Sequence, residues 1–177
     1  NALRVRVTHN ADFTEDDKAL SPVLSSAQIT IDDSKASIRN GKISCVIAKS
    51  GWLEFYSDKK PILKEYYRGF GNANEHSPSM KFHAREFKAV SGNDYSITAR
   101  FESQDGEKIF GMGQYQQPEL DLKGCVLELA QRNSQISVPF YLSNKGYGFL
   151  WNNAGIGEVM FGKNYTQWRS KLSEELD

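Results

Sequence analysis

The chain has 177 residues, 39% of them hydrophobic and 25% charged, and its 22 Lys and Arg balance 22 Asp and Glu to a formal charge of zero. That length makes a single domain that buries roughly 70% of its unfolded surface, and the balanced charge gives no electrostatic footprint for nucleic acid or an anionic membrane. No apolar run approaches the ~18 residues of a membrane span, no secretory leader is recognisable, and the compartment is left open.

Leu3-Arg4-Val5-Arg6-Val7 alternates and predicts a half-buried strand. Residues 10–21 are polar and charged, with a short helical turn expected over 16–20. Ile29-Thr30-Ile31 reads as a strand fragment. Asn40-Gly41 divides Ala36-Ser37-Ile38-Arg39 from Ile43-Ser44-Cys45-Val46-Ile47, a hairpin signal. Trp52-Leu53-Glu54-Phe55-Tyr56 follows a turn at Ser50-Gly51. Asp58-Lys59-Lys60-Pro61 forms the next hairpin tip, with 62–67 as its return strand, and its lysines read as a solvated turn rather than a binding patch. The run 69–79 holds Gly69, Gly71, Asn72, Asn74 and Pro78 and is expected to be a loop.

Arg85-Glu86-Phe87-Lys88-Ala89-Val90 reads as a strand and Ser91-Gly92-Asn93-Asp94 as a turn. Over 95–101 the alternation is clean, with Tyr95, Ile97, Ala99 and Phe101 on one face. Asp105-Gly106 is a further hairpin signal, ahead of Ile109-Phe110-Gly111-Met112-Gly113-Gln114, where glycines permit close backbone approach or positive φ. Tyr115-Gln116-Gln117-Pro118-Glu119 is too polar, and too poor in donors at Pro118, to be a central strand. It reads as an exposed, amide-rich loop held between strands, the usual place for binding groups. Strand-like runs follow over 121–129, at Val138-Pro139-Phe140-Tyr141-Leu142, over 146–151 and at Val159-Met160-Phe161. The tail 168–177 has helical propensity, with Lys171, Leu172, Glu175 and Leu176. Many short strands punctuated by turns predict an all-β fold, a twisted antiparallel β-sandwich. They exclude a doubly wound sheet and a complete (β/α)8 barrel within this chain. Cys45 and Cys125 lie in apolar patterns and read as two buried free thiols rather than a bridge.

Candidate chemistry is sparse. Gly111-x-Gly113 lacks the third glycine and the following helix of a dinucleotide fingerprint. His9, His76 and His83 share no ligand spacing, so no metal and no cofactor are expected. Glu119 and Asp121 are the nearest approach to the paired carboxylates of glycoside hydrolysis, but nothing adjacent in sequence would raise either pKa. Tyr147, Phe149 and Trp151 share a strand face that fits either a sugar-stacking platform or, as favoured here, core packing. Asn164-Tyr165-Thr166 matches an N-glycosylation acceptor and is read as chance.

Four pieces in order, Gly111-Met112-Gly113-Gln114, Leu122-Lys123-Gly124, Pro139-Phe140-Tyr141 and Gly146-Tyr147-Gly148-Phe149-Leu150-Trp151-Asn152-Asn153, resemble the N-terminal domain of glycoside hydrolase family 31, the α-glucosidase and α-xylosidase family. The resemblance is closest to the α-xylosidase-like branch and covers 108–162, with upstream support at Gly41-Lys42-Ile43 and over 95–101. Gln114 stands where many members carry Glu. The resemblance implies a galactose mutarotase-like supersandwich over 1–177, a single N-terminal accessory domain whose catalytic (β/α)8 barrel is absent from this chain. The family's nucleophile sits in a barrel segment similar to W-x-D-M-N-E, which is not present, so no catalytic residue is expected here. The resemblance further implies that the loop reaches over the barrel and shapes the sugar subsites through Gln114, Gln116, Gln117, Glu119, Leu120 and Asp121. The implied partners are the catalytic barrel of the same polypeptide and an α-linked oligosaccharide. Two other readings remain open: a free-standing carbohydrate-binding module, and a mutarotase-like enzyme using His83 with Glu86.

Overall fold

The computed structural model describes residues 2–13, 20, 26–68 and 81–177. The loop expected over 69–79 and, apart from Leu20, the helical turn expected over 16–20 lie outside the described residues. Among the described residues the chain forms strands and no helix. Its first sheet is a meander of β2 (Gln28–Ile31), β3 (Lys35–Asn40), β4 (Ile43–Ala48), β5 (Leu53–Ser57) and β6 (Lys60–Lys64) in sequence order. Two-residue turns join β3 to β4 and β5 to β6. The second, Asp58-Lys59, has φ 45° and 72°, the mirror-image turn that suits strand twist.

Two further sheets form the sandwich. One has five strands in the order β10-β13-β14-β8-β7: β7 (Arg85–Ser91), β8 (Asp94–Glu102), β10 (Val126–Leu129), β13 (Gly157–Phe161) and β14 (Tyr165–Ser173). The other has three, β12-β11-β9: β9 (Ile109–Gln114), β11 (Ile136–Ser143) and β12 (Tyr147–Leu150). The alternation read over 95–101 directs Ile97, Ala99 and Phe101 inward, with Tyr95 packed at the margin. Opposite them lie Ile109, Met112 and Tyr141. Trp168 of β14 is wholly buried and stacks on Tyr141, Phe149 and Trp151 at centroid distances of 6.1, 5.2 and 5.7 Å, with Phe161 edge-on. Tyr147, Phe149 and Trp151 are therefore core or core-margin residues, not an exposed platform.

The tail departs from expectation. Residues 168–177 complete β14 and add β15 (Glu175–Leu176), which pairs with β1 (Val7–Thr8). Helical propensity there amounts to tenths of a kcal/mol per residue. It is outweighed by a ladder along β8 that sends Thr166, Trp168 and Ser170 inward at strand spacing. The run 121–129 is shorter than expected as a strand, because its first part is a turn and pairing begins at Val126.

The meander is tied to the sandwich just beyond β6. Glu65, 3% exposed, bridges to Phe101 of β8, and Tyr66 N–H donates to the Arg100 carbonyl at 2.8 Å. The Glu65 carboxylate accepts from Leu53 N–H at 2.9 Å and pairs with Arg85 at 2.8 Å. Burial raises its pKa despite the Arg85 charge. Both cysteines are free thiols, and burial, then the nearby Glu65 charge, pushes Cys45 up to about 11.

The two core tryptophans differ in one respect. Trp151 Nε1 donates to the fully buried Ser170 Oγ at 2.8 Å, whereas Trp168 Nε1 has no partner among the described residues. Trp151→Phe strands the Ser170 hydroxyl, while Trp168→Phe removes an unpaired donor. In urea denaturation Trp151→Phe is expected to cost more than Trp168→Phe, by about 1–3 kcal/mol.

Candidate functional site

The loop after β9 is set up by its glycines. Gly111, Met112 and Gly113 have φ of 118°, 70° and 93°, three consecutive residues in the region that suits glycine. This kink coincides with a register shift against β11, between the pairs Ser137↔Gly113 and Tyr141↔Gly111. Pro139, which has no N–H to offer a ladder, sits inside that irregularity. A Cβ on Gly113 would lie 2.3 Å from the Ile136 carbonyl oxygen, and one on Gly111 2.8 Å from that of Phe140. The backbones of β9 and β11 touch here because there is no side chain to keep them apart.

Beyond Gln114 the loop is fastened by its own polar groups. The Tyr115 hydroxyl donates to the Glu128 carbonyl at 2.8 Å and lies 2.7 Å from Ser137 Oγ. Burial raises its pKa. The Gln117 amide closes on its own neighbourhood, donating to the Glu119 carbonyl (2.7 Å) and accepting from Glu119 N–H (2.8 Å). Asp121 Oδ1 accepts from the N–H of Ile109 (3.0 Å) and of Lys123 (3.1 Å), pinning the loop's exit to the start of β9. The Ile109 N–H leads in holding this carboxyl below its ordinary value, with the Lys123 N–H assisting. Of the six residues singled out by sequence, Gln117 and Asp121 are thus engaged in building the loop. Gln114, Gln116, Glu119 and Leu120 are exposed, Leu120 to 80%.

The remaining candidates have plain structural surroundings. Glu119 and Asp121 do not form an isolated acid–base pair, since Asp121 is taken up by backbone donors. Glu86 pairs with Arg100 at 2.9 Å, and although burial works in the opposite direction the Arg100 bond and charge keep its pKa low. His83 packs near Tyr67 at 6.3 Å and accepts from Arg100 through its carbonyl. Among the described residues no three His, Cys, Asp or Glu side chains gather as a metal site would require.

One cluster was missed by sequence reasoning. Glu107, 6% exposed, accepts from Ser143 Oγ and Tyr147 OH, both at 2.7 Å, and faces Lys123 Nζ at 3.3 Å. Tyr147 lies 3.3 Å from the Tyr141 hydroxyl, and burial, reinforced by Tyr141 and Glu107, drives its pKa far upward. With a neutral hydroxyl donating to a paired carboxylate, this is a satisfied buried network that clamps β11 and β12 to the turn at Lys123. Its members are scattered from 107 to 147, so only the presence of a charged residue beside a strand start could have hinted at it.

Residues 1–159 match the family model described as the glycosyl hydrolase 31 N-terminal galactose mutarotase-like domain. An uncharacterised family 31 glucosidase of Pseudescherichia vulneris is 47% identical over 188 aligned residues, covering 100% of this chain and 36% of the relative. A crystal structure of a family 31 α-xylosidase from a soil metagenome, solved with xylose, superposes with a TM-score of 0.88 at 43% identity, over 97% of this chain and 27% of that one. The α-xylosidase A of Aspergillus niger is 28% identical over 152 residues, 79% of this chain and 19% of the relative. The chain thus spans about a third or less of the length of these proteins.

Two substitutions test the loop's construction. Gly113→Ala combines backbone strain with overlap onto the Ile136 carbonyl and is expected to destabilise by about 2–6 kcal/mol in urea denaturation. For Asp121 the sign is fixed by its lowered pKa. Its contribution is present above the ordinary value of 3.8 and is lost as pH falls through the lower folded value. The stability difference between wild type and Asp121→Asn, measured by urea titration across pH 2.5 to 6, is therefore expected to be constant at the upper end and to shrink below pH 3.8.

Proposed function

The chain belongs to the glycosyl hydrolase 31 N-terminal galactose mutarotase-like domain family, and from that premise we propose that it is the non-catalytic N-terminal domain of a longer retaining α-glycosidase of α-xylosidase type. In this reading it packs on a catalytic barrel of the same polypeptide and lends loop 114–121 to the subsites of an α-linked oligosaccharide. The observation that carries it is the likeness, over 97% of the chain, to a much longer α-xylosidase solved with xylose.

The division of labour follows from the chemistry. Retaining hydrolysis needs two carboxyl groups about 5–5.5 Å apart, one as nucleophile and one as acid and then base. The barrel supplies both in this proposal, and Glu119 and Asp121 supply neither. The loop's contribution is recognition. Gln114 and Gln116 each present an amide donor and acceptor suited to sugar hydroxyls. Glu119 adds an acceptor, and Leu120 an apolar contact. Gln117 and Asp121 act as positioning residues, holding the loop in shape through the bonds to Glu119, Ile109 and Lys123. A loop that is already shaped loses less entropy when a sugar arrives.

The test uses the full-length parent enzyme and aryl α-xylosides and α-glucosides. Gln114→Ala and Gln116→Ala are each expected to lower kcat/KM by roughly 2- to 10-fold, the effect of a lost neutral hydrogen bond, with thermal stability unchanged. A double variant whose kcat/KM stays within 2-fold of wild type would remove the loop from the subsites.

A further inference from the structure

The outer face of the three-stranded sheet is built as if it were interior. Along β11 the inward row is Ser137, Tyr141 and Ser143, all buried, and the outward row is Ile136, Val138, Phe140 and Leu142. Leu150 of β12, opposite Phe140 in register, extends that row sideways. These five apolar side chains remain 39–55% exposed on one contiguous strip. The Phe140 ring lies over Gly148, where the absence of a side chain leaves it room. The outer face of the five-stranded sheet is different. Glu128 and Glu158 lie opposite each other there, Arg169 faces Glu158 in register, and the exposed Val126 faces Met160. The outer face of the five-stranded sheet mixes charged and apolar residues, whereas that of the three-stranded sheet is uniformly apolar along β11. Single exposed hydrophobic residues are ordinary, but apolar side chains gathered in one contiguous patch larger than a few hundred Å² mark an interface.

We propose that the strip formed by Ile136, Val138, Phe140, Leu142 and Leu150 is the face on which the catalytic part of the same polypeptide docks. This rests on the reading above that the chain is one domain of a longer glycosidase. Three observations favour that occupant over a second copy of the chain. The relatives are about three times longer or more, so most of each lies outside the region matched here. Asp177 sits at the margin of this sheet: its carbonyl accepts from Asn152 N–H at 3.0 Å and from the Asn153 amide at 2.8 Å, just past Leu150. A chain continuing from there would leave beside β12. At that same end of the strip, across β11 on the β9 side, Ile136 pairs with Gln114, the first residue of the loop. A body seated on the strip therefore has loop 114–121 along its edge, where a subsite contribution has to be made.

The test places a photo-crosslinking benzophenone amino acid at Val138 or Leu142 of the full-length parent, with Glu158 on the opposite outer face as control. Expected are intramolecular cross-links from 138 and 142 to peptides C-terminal to residue 177, and none from 158. Cross-links between two protomers, or no cross-link from either position, would overturn the proposal. A second arm, Val138→Asp and Leu142→Asp in the parent, is expected to split thermal unfolding into two transitions and lower kcat/KM at least 10-fold. A single transition with wild-type activity would also overturn it. The functional reading fails separately, if the unmodified parent hydrolyses no α-xyloside or α-glucoside, while the cross-links still report on the face.

Discussion

The fold depends on one ring. Trp168 lies between the two sheets of the sandwich, stacked against Tyr141, Phe149 and Trp151 and met edge-on by Phe161. Aromatic groups of this size dominate the burial in a small core. Their geometry dictates much else. Tyr141 must point inward, which fixes the phase of β11 and directs Val138, Phe140 and Leu142 outward, because side chains alternate along a strand. A one-residue slip would reverse both rows at once. The bare apolar strip is thus a consequence of how the core is filled, and β11 is a strand with two apolar faces in a sheet that, among the described residues, is covered on one.

The all-β class and most of the hairpins were legible because they rest on short-range rules. Asn40-Gly41 and Asp58-Lys59 close hairpins at positive φ, whereas Asp105-Gly106, also read as a hairpin, carries the chain from β8 in one sheet to β9 in the other. The alternation from Tyr95 to Phe101 reports its own inner face. The tail was misread because Lys171, Leu172, Glu175 and Leu176 favour a helix only weakly, while their partners on β8 and β1 lie about 75 and 170 residues away in the chain and cannot be seen locally.

The candidate loop was legible in location but not in the use of its side chains. Glycines followed by amides and Pro118 identify an exposed loop next to a close backbone approach. Sequence alone treated Gln116 and Gln117 as equivalents. The structure separates them: Gln117 bonds to its own loop, and Gln116 stays exposed. Asp121 likewise reads as a candidate acid until its oxygen is found capping Ile109. Both distinctions depend on three-dimensional closure of a short segment, and a linear pattern does not carry it. The Glu107 cluster is the extreme case, a buried charge satisfied by residues up to 40 positions away.

The pairing of β1 with β15 brings the two extremities of the described chain side by side. Arg4 grips Asp177 at 2.5 Å and Arg6 grips Glu175 at 2.6 Å, flanking the Val7↔Leu176 pair. Both strands therefore present their outer ends in the same direction. A load applied across those ends would peel the contacts one after another, starting at Arg4 and Asp177, rather than shearing them together. The Arg4–Asp177 pair is therefore the contact at the open end of this seam, while the chain just ahead of it passes to the meander, where the Asn40 amide donates to the Ala2 carbonyl.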